Sequence, residues 1–323
     1  MTVSRVINNV GYTSQGTRKR VEQAIAELDY VPNALARSLR FKQTKTIGLI
    51  LTDITNSFFT TIARGVEDAA SDQGFSVMFC NTDESQSKEA EYINVLIQKQ
   101  VDGIILVPAR SSAESVILLQ DRGMPVVVLD RRLPNAQVDV VRCDSVLAAY
   151  QLTQHLIELG HKRIALLTGP HDVSTAVDRV EGYRHAFAEG GITEDEGLIF
   201  HGPFTQQAGY QMAMQALALA PRPTALLAGN NFIAIGSLQA LRETKLRMPD
   251  DISLVMFDEL AISVVLEPFL TVIDQPAYEM GRQATEVLLA RLTGKNDGEA
   301  RELLLPVRMI IRSSSGPVPS RVQ

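Results

Sequence analysis

Residues 47–53 read IGLILTD, an apolar run closed by a carboxylate. A strand with one wet face alternates polar and apolar residues; a strand covered on both faces does not. The same form returns in FSVMFCN (75–81), DGIILVP (102–108), PVVVLD (125–130), RIALLTG (163–169), TALLAGN (224–230) and ISLVMFD (252–258). Between most of these runs lie amphipathic stretches such as FTTIARGVEDAASDQG (59–74) and SVLAAYQLTQHLIELG (145–160). Repeated strand–helix alternation with continuous apolar strands predicts parallel sheets with helices on both faces. The units are too many for one sheet, and the pattern restarts after DVVRCDSV (139–146). The expected core is therefore α/β, with two doubly wound parallel sheets in two lobes.

In open α/β sheets ligands bind beyond the carboxyl ends of the strands. This singles out Asp53, Asp130, Asn230 and Asp258, each at the end of an apolar run. Asp and Asn there also simply cap the next helix or turn.

The chain has 323 residues, room for two or three domains, with 45% hydrophobic and 21% charged residues, the balance of a globular protein. The net charge of −6 is uneven: residues 1–45 hold eight Lys/Arg against three Asp/Glu, a net +5, which leaves −11 on the rest. A basic head on an acidic body suggests a polyanionic partner for the head, although a solvated helical surface has the same look. Cys80 and Cys143 stand apart in apolar stretches, which suggests buried thiols rather than a disulfide or a metal site. No signal peptide and no apolar run near 18 residues is visible, so the expected compartment is the cytoplasm, with no membrane contact.

The basic head has two parts. In MTVSRVINN (1–9), Val3, Val6 and Ile7 share a helical face and leave Thr2, Ser4, Arg5 and Asn8 on the others. NVGYTS (9–14) is turn-like, Ser14 is a candidate N-cap, and Val21, Ala24, Ile25 and Leu28 mark a second helix. Next, Pro32 interrupts the chain, and ALARSLRF (34–41) gives barely two turns between Asn33 and a basic flank.

TVSRVINN, TRKRVEQAIAELDYVPNALARSLR, IGLILTDITNSFF, DGIILVP, LGHKRIALLTGP, RPTALLAGNN and TVIDQP resemble the lactose-repressor (LacI/GalR) family, in that family's order and over nearly the whole chain. The resemblance implies a bacterial transcription regulator. Residues 1–31 would be an all-α helix-turn-helix headpiece, 32–45 a hinge helix and linker, and 46–316 an effector-binding core like a periplasmic sugar-binding protein. The N-lobe would take 46–145 plus 277–303, and the C-lobe 146–275 plus 306–316. TVSRVINN looks like the recognition helix, with Met1 where the family has an interior residue. The expectation is a headpiece lacking its first helix, through a start assigned too late or a cut chain.

By the same resemblance, Thr2, Ser4, Arg5 and Asn8 would face operator DNA in the major groove. Ala36 and Leu39 would meet the minor groove, Leu39 as a wedge between base pairs. Two hinges on one operator imply a homodimer. In the core, Arg179, Asn230 and Asp258 match the family's ligand contacts; Phe58, Asp130, Phe204 and Gln275 join them, with core packing the alternative for the two phenylalanines. The implied ligand is a sugar or sugar phosphate, held by charged groups on its hydroxyls and an aromatic face on its C–H side. Val173 stands where purine-binding members place Arg, which argues against a purine. Asn231 replaces the Asp common after Asn230, and either residue would serve at the helix start.

The resemblance implies no cofactor, no metal and no catalytic residue. Two other readings remain. A periplasmic-type sugar-binding protein without DNA binding would share the core but not the VPNALARSL hinge. An α/β enzyme would need a nucleophile elbow, a phosphate loop or a metal cluster, and none is visible.

Overall fold

The computed structural model describes residues 2–7, 11–29, 43–260, 269–294 and 298–319. The chain divides into two compact units, 1–45 and 46–323.

In the first unit α1 (Thr2–Ile7) and α2 (Gln15–Glu27) are the described elements. Ser14 caps α2, its hydroxyl accepting from the N–H of Thr17. Val6 is buried, while Val3, Val21, Ala24, Ile25 and Leu28 line an apolar groove.

The second unit holds two sheets of six strands each. The first contains β1 (Thr46–Leu51), β2 (Ser76–Asn81), β3 (Gly103–Leu106), β4 (Val126–Leu129), β5 (Asp139–Cys143) and β11 (Glu302–Leu305), in the order β2-β1-β3-β4-β5-β11. The second contains β6 (Ile164–Thr168), β7 (Ile199–His201), β8 (Ala225–Ala228), β9 (Ser253–Phe257), β10 (Thr271–Asp274) and β12 (Arg308–Ile310), in the matching order β7-β6-β8-β9-β10-β12. All pairings are parallel except β10 with β12.

Both faces of each sheet are covered. Ile47, Leu49 and Leu51 of β1 pack with Phe58, Ile62 and Val66 of α3 (Ser57–Asp72) and Met280 and Leu288 of α10 (Ala277–Leu292). Ile50 points the other way, into a cluster with Ile93 and Leu96 of α4 (Gln86–Gln98) and Val116 and Leu119 of α5 (Glu114–Asp121). The second sheet repeats this. Leu167 meets α8 (Gln206–Leu217) and α9 (Asn231–Glu243) on one side, and Leu166 meets α6 (Ser145–Glu158) and α7 (Ser174–Glu189) on the other. The chain crosses between the lobes three times: at Asp144, at Gln275–Pro276 and at Pro306–Val307.

The helix that carries Phe58 is fixed by a close crossing. A Cβ on Gly65 would lie 2.0 Å from the Tyr278 carbonyl oxygen, and one on Gly281 would lie 2.2 Å from that of Ile62. Two glycines thus let α3 and α10 touch backbone to backbone. Gly281→Ala is expected to force the helices apart and destabilise by about 1–3 kcal/mol, the usual range for overpacking. Chemical denaturation checks this; an unchanged midpoint would mean the crossing can relax.

Candidate functional site

The carboxyl ends of both sheets face each other across a cavity of about 340 Å³ within the second unit. Its size fits a small ligand. From the first lobe come Thr52 and Asp53 after β1, Asp83 and Glu84 after β2, and Asp130 and Arg131 after β4. Asn56, Phe58 and Phe59 add the start of α3. From the second lobe come Phe204 after β7, Asn230 after β8, Asp258 after β9 and Gln275 after β10, with Thr175 and Arg179 from α7.

Asp130 and Asp258 occupy equivalent places, each following the fourth strand of its sheet. Both take left-handed backbone angles, φ +66° and +68°. Both donate their N–H to the neighbouring strand, Asp130 to Val141 O at 2.9 Å and Asp258 to Ile273 O at 3.0 Å. The tight turn aims each carboxylate along the strand axis into the cavity, and Asp tolerates this conformation better than most residues.

Arg179 is 3% exposed and rises from the second turn of α7. Its guanidinium lies 4.2 Å from the Phe257 ring centre and 5.8 Å from that of Phe204. Its Nε has no hydrogen-bond partner. Burial lowers its pKa first, and the fields of Asp258 and Asp130 oppose that. Burial likewise raises Asp130 to about 6, against the pull of Arg131 and Arg179. Asp258 is also raised by burial, with Arg179 and the Gln275 amide, 2.6 Å away, pulling it down.

The other two arginines of the cavity are already engaged. Arg131 holds both oxygens of Glu84, at 2.5 and 2.7 Å, and donates to the carbonyl oxygens of Pro108 and Ala109. Arg110 pairs with Asp172 at 3.1 Å and approaches Glu84 at 3.6 Å. Arg179 is thus the cavity's cation without an ion pair among the described residues, set beside two buried carboxylates. Such a site offers a donor fork and two acceptors over aromatic faces, a fit to adjacent hydroxyls on a neutral ring.

The seven core residues singled out by sequence, Phe58, Asp130, Arg179, Phe204, Asn230, Asp258 and Gln275, all line this cavity. Phe58 and Phe204 also pack in the cores, so their two readings are not exclusive. Asn230 does double duty too, its Oδ1 capping α9 by accepting from Ile233 N. Asn231 differs from the expectation of a helix-start role for its side chain. Its amide reaches across the lobes to Asn56 Oδ1 at 2.8 Å, because Asn230 already fills the cap. Sequence reasoning passed over Arg131, Glu84 and Thr175; the adjacent LDRR (129–132) was the available signal for Arg131.

In the first unit, Arg5 is exposed on α1, and Thr2 and Ser4 belong to the same helix. Asn8, Ala36 and Leu39 lie outside the described residues. Among the described residues no three His, Cys, Asp or Glu side chains are grouped to hold a metal, and no helix is long and apolar enough to cross a membrane. Cys80 and Cys143 are buried and free.

Comparison with known proteins agrees with this architecture. Residues 44–313 match the model for periplasmic binding proteins and the sugar-binding domain of the LacI family, and residues 1–33 match that for bacterial regulatory proteins of the lacI family. The ribose operon repressor of Escherichia coli K12 is 37% identical over 95% of this chain and 94% of its own. A LacI-family regulator from Enterococcus faecium with bound ribose superposes with TM-score 0.75 at 33% identity, covering 84% of this chain and 99% of that one. The lac repressor dimer bound to operator reaches TM-score 0.87 at 28% identity, covering 98% and 94%. The two-lobed core, its cleft at the strand ends and the helical head are those of a bacterial transcription regulator, and the chain belongs to the LacI family.

Proposed function

We propose that this regulator is a cytoplasmic repressor, working as a homodimer on operator DNA, whose operator affinity is set by a neutral pentose such as D-ribose in the interlobe cleft. The observation that carries the ligand class is the buried Arg179, with an unpartnered Nε, beside Asp130 and Asp258. A phosphate ester would add its own negative charge to a cavity where five carboxylates already face three arginines, two of them committed to Glu84 and Asp172. A neutral polyol needs no further cation. The names of the Escherichia coli relative and of the ribose-bound structure support the pentose, and the lac repressor dimer supports the assembly. The family's purine-binding members use an Arg at the position of Val173, and Val173 here is fully buried at the start of α7.

Isothermal titration with D-ribose, D-ribose 5-phosphate and hypoxanthine tests this. Binding should be seen with D-ribose and be weaker or absent with the other two. Tighter binding of the phosphate ester or of hypoxanthine would overturn the neutral-sugar reading.

A further inference from the structure

Helix α7 presents two faces of different purpose. Thr175 and Arg179, four residues apart, share the face that lines the cavity. Ser174 and Asp178, also four apart, meet the opposite lobe. Ser174 Oγ accepts the backbone N–H of Arg132 at 3.0 Å, and Asp178 Oδ1 accepts from the Arg132 guanidinium at 2.5 Å. Arg142 Nη1 lies 3.7 Å from the other oxygen of Asp178. Asp178 is 2% exposed, so its carboxylate needs compensation, and both cations that pair with it belong to the first lobe. Each partner is wired to the cleft or the hinge: Arg132 is two residues after Asp130, and Arg142 two before the crossover at Asp144. The other interlobe ion pair among the described residues, Arg110 with Asp172, rests on an aspartate whose side chain is 63% exposed, where water screens it.

We infer that Asp178 is a positioning residue for the effector cleft: by clamping the first two turns of α7 to Arg132 and Arg142, it makes closure of the lobes and the aiming of Arg179 a single event. When the lobes part, Asp178 loses both cations and Arg132 loses the Ser174 acceptor together. A ligand that touches Asp130 and Arg179 binds on either side of this clamp and is held by it.

The inference rests on the sugar reading only for its ligand, so the test has two arms. Asp178→Asn, Arg132→Gln and the double variant are compared with the wild type. Hydrogen exchange of segments 130–134 and 174–180 is measured without sugar, and D-ribose affinity and dissociation rate with it. Asp178→Asn should speed exchange at the Arg132 amide and weaken D-ribose binding roughly tenfold, the scale of one charge-assisted hydrogen bond, through faster dissociation. Arg132→Gln, which leaves the Arg142 pair in place, should do the same to a smaller degree, and the double variant should be no worse than Asp178→Asn alone, because Asp178→Asn already removes the Arg132 pair. The Arg132 side chain is 39% exposed, so its replacement does not threaten folding. Unchanged exchange and unchanged affinity in both single variants, with only a lower melting temperature, would overturn the clamp. Faster exchange in a protein that ignores D-ribose would support the clamp and overturn the ligand.

Discussion

Asp258→Asn is expected to weaken D-ribose binding by about a hundredfold while leaving the fold in place. The substitution keeps the shape, and Asn takes the φ of +68° as readily as Asp does. Its Oδ1 can still accept from the Gln275 amide, now 2.6 Å from Asp258 Oδ1. The changes are the lost charge and a donor in place of the second acceptor. A sugar hydroxyl on the second oxygen loses a charge-assisted hydrogen bond worth roughly 1.5–3 kcal/mol and meets a donor instead, and one sharing Oδ1 loses its charge assistance, which together make about a hundredfold. Titration calorimetry gives the affinity and thermal unfolding the fold. Unchanged affinity would take Asp258 out of ligand contact and leave it a support for Gln275 and Arg179.

The strand ends were legible because chemistry and topology coincide there. An apolar run such as PVVVLD or ISLVMFD states both that a strand is buried and where it stops, and the stop is where ligands bind. The peripheral strands were harder. β7 and β12 are three residues each, half-exposed or open, so neither carries the continuous apolar run of a central strand. The site's internal wiring was not legible, because it depends on distances between residues remote in sequence. The lobe that holds each cavity-lining residue is one such case, for Arg179 and Asp258. Both stand in the second lobe, and Arg179 sits on the second turn of α7. Both are buried, 3% and 5% exposed, so a substitution at either needs a stability readout beside the binding one. The first lobe contributes Asp130 to the same cavity, and its equivalence to Asp258 emerges only from the matched strand orders of the two sheets.

Asp130 lies buried within the protein beside Arg131 and Arg179, and its burial outweighs the pull of both. Burial holds the Asp130 carboxyl at about 6, against 3.8 for the unperturbed group. For an Asp raised in the folded state, the sign is the reverse of the usual one. The folded protein holds its proton more tightly than the unfolded chain, so stability falls as pH rises from about 4 to about 6, and the loss is complete above that. A shift of this size corresponds to about 3 kcal/mol. Asp130→Asn removes the titration and fits φ +66°. It is expected to raise the melting temperature of the sugar-free protein at pH 7.5, with the gain shrinking to nothing near pH 4. D-ribose binding should weaken in the same variant, because hydroxyl donors favour the ionised carboxylate. Wild-type affinity should accordingly fall on acidification below about pH 6. Scanning calorimetry across that range, with and without sugar, separates the effects. A stability gain equal at every pH would show that packing, and not the buried charge, is what the substitution relieves. A gain confined to the higher pH values, together with lost affinity, would mean that the empty cleft stores about that much free energy in Asp130 until sugar hydroxyls solvate it.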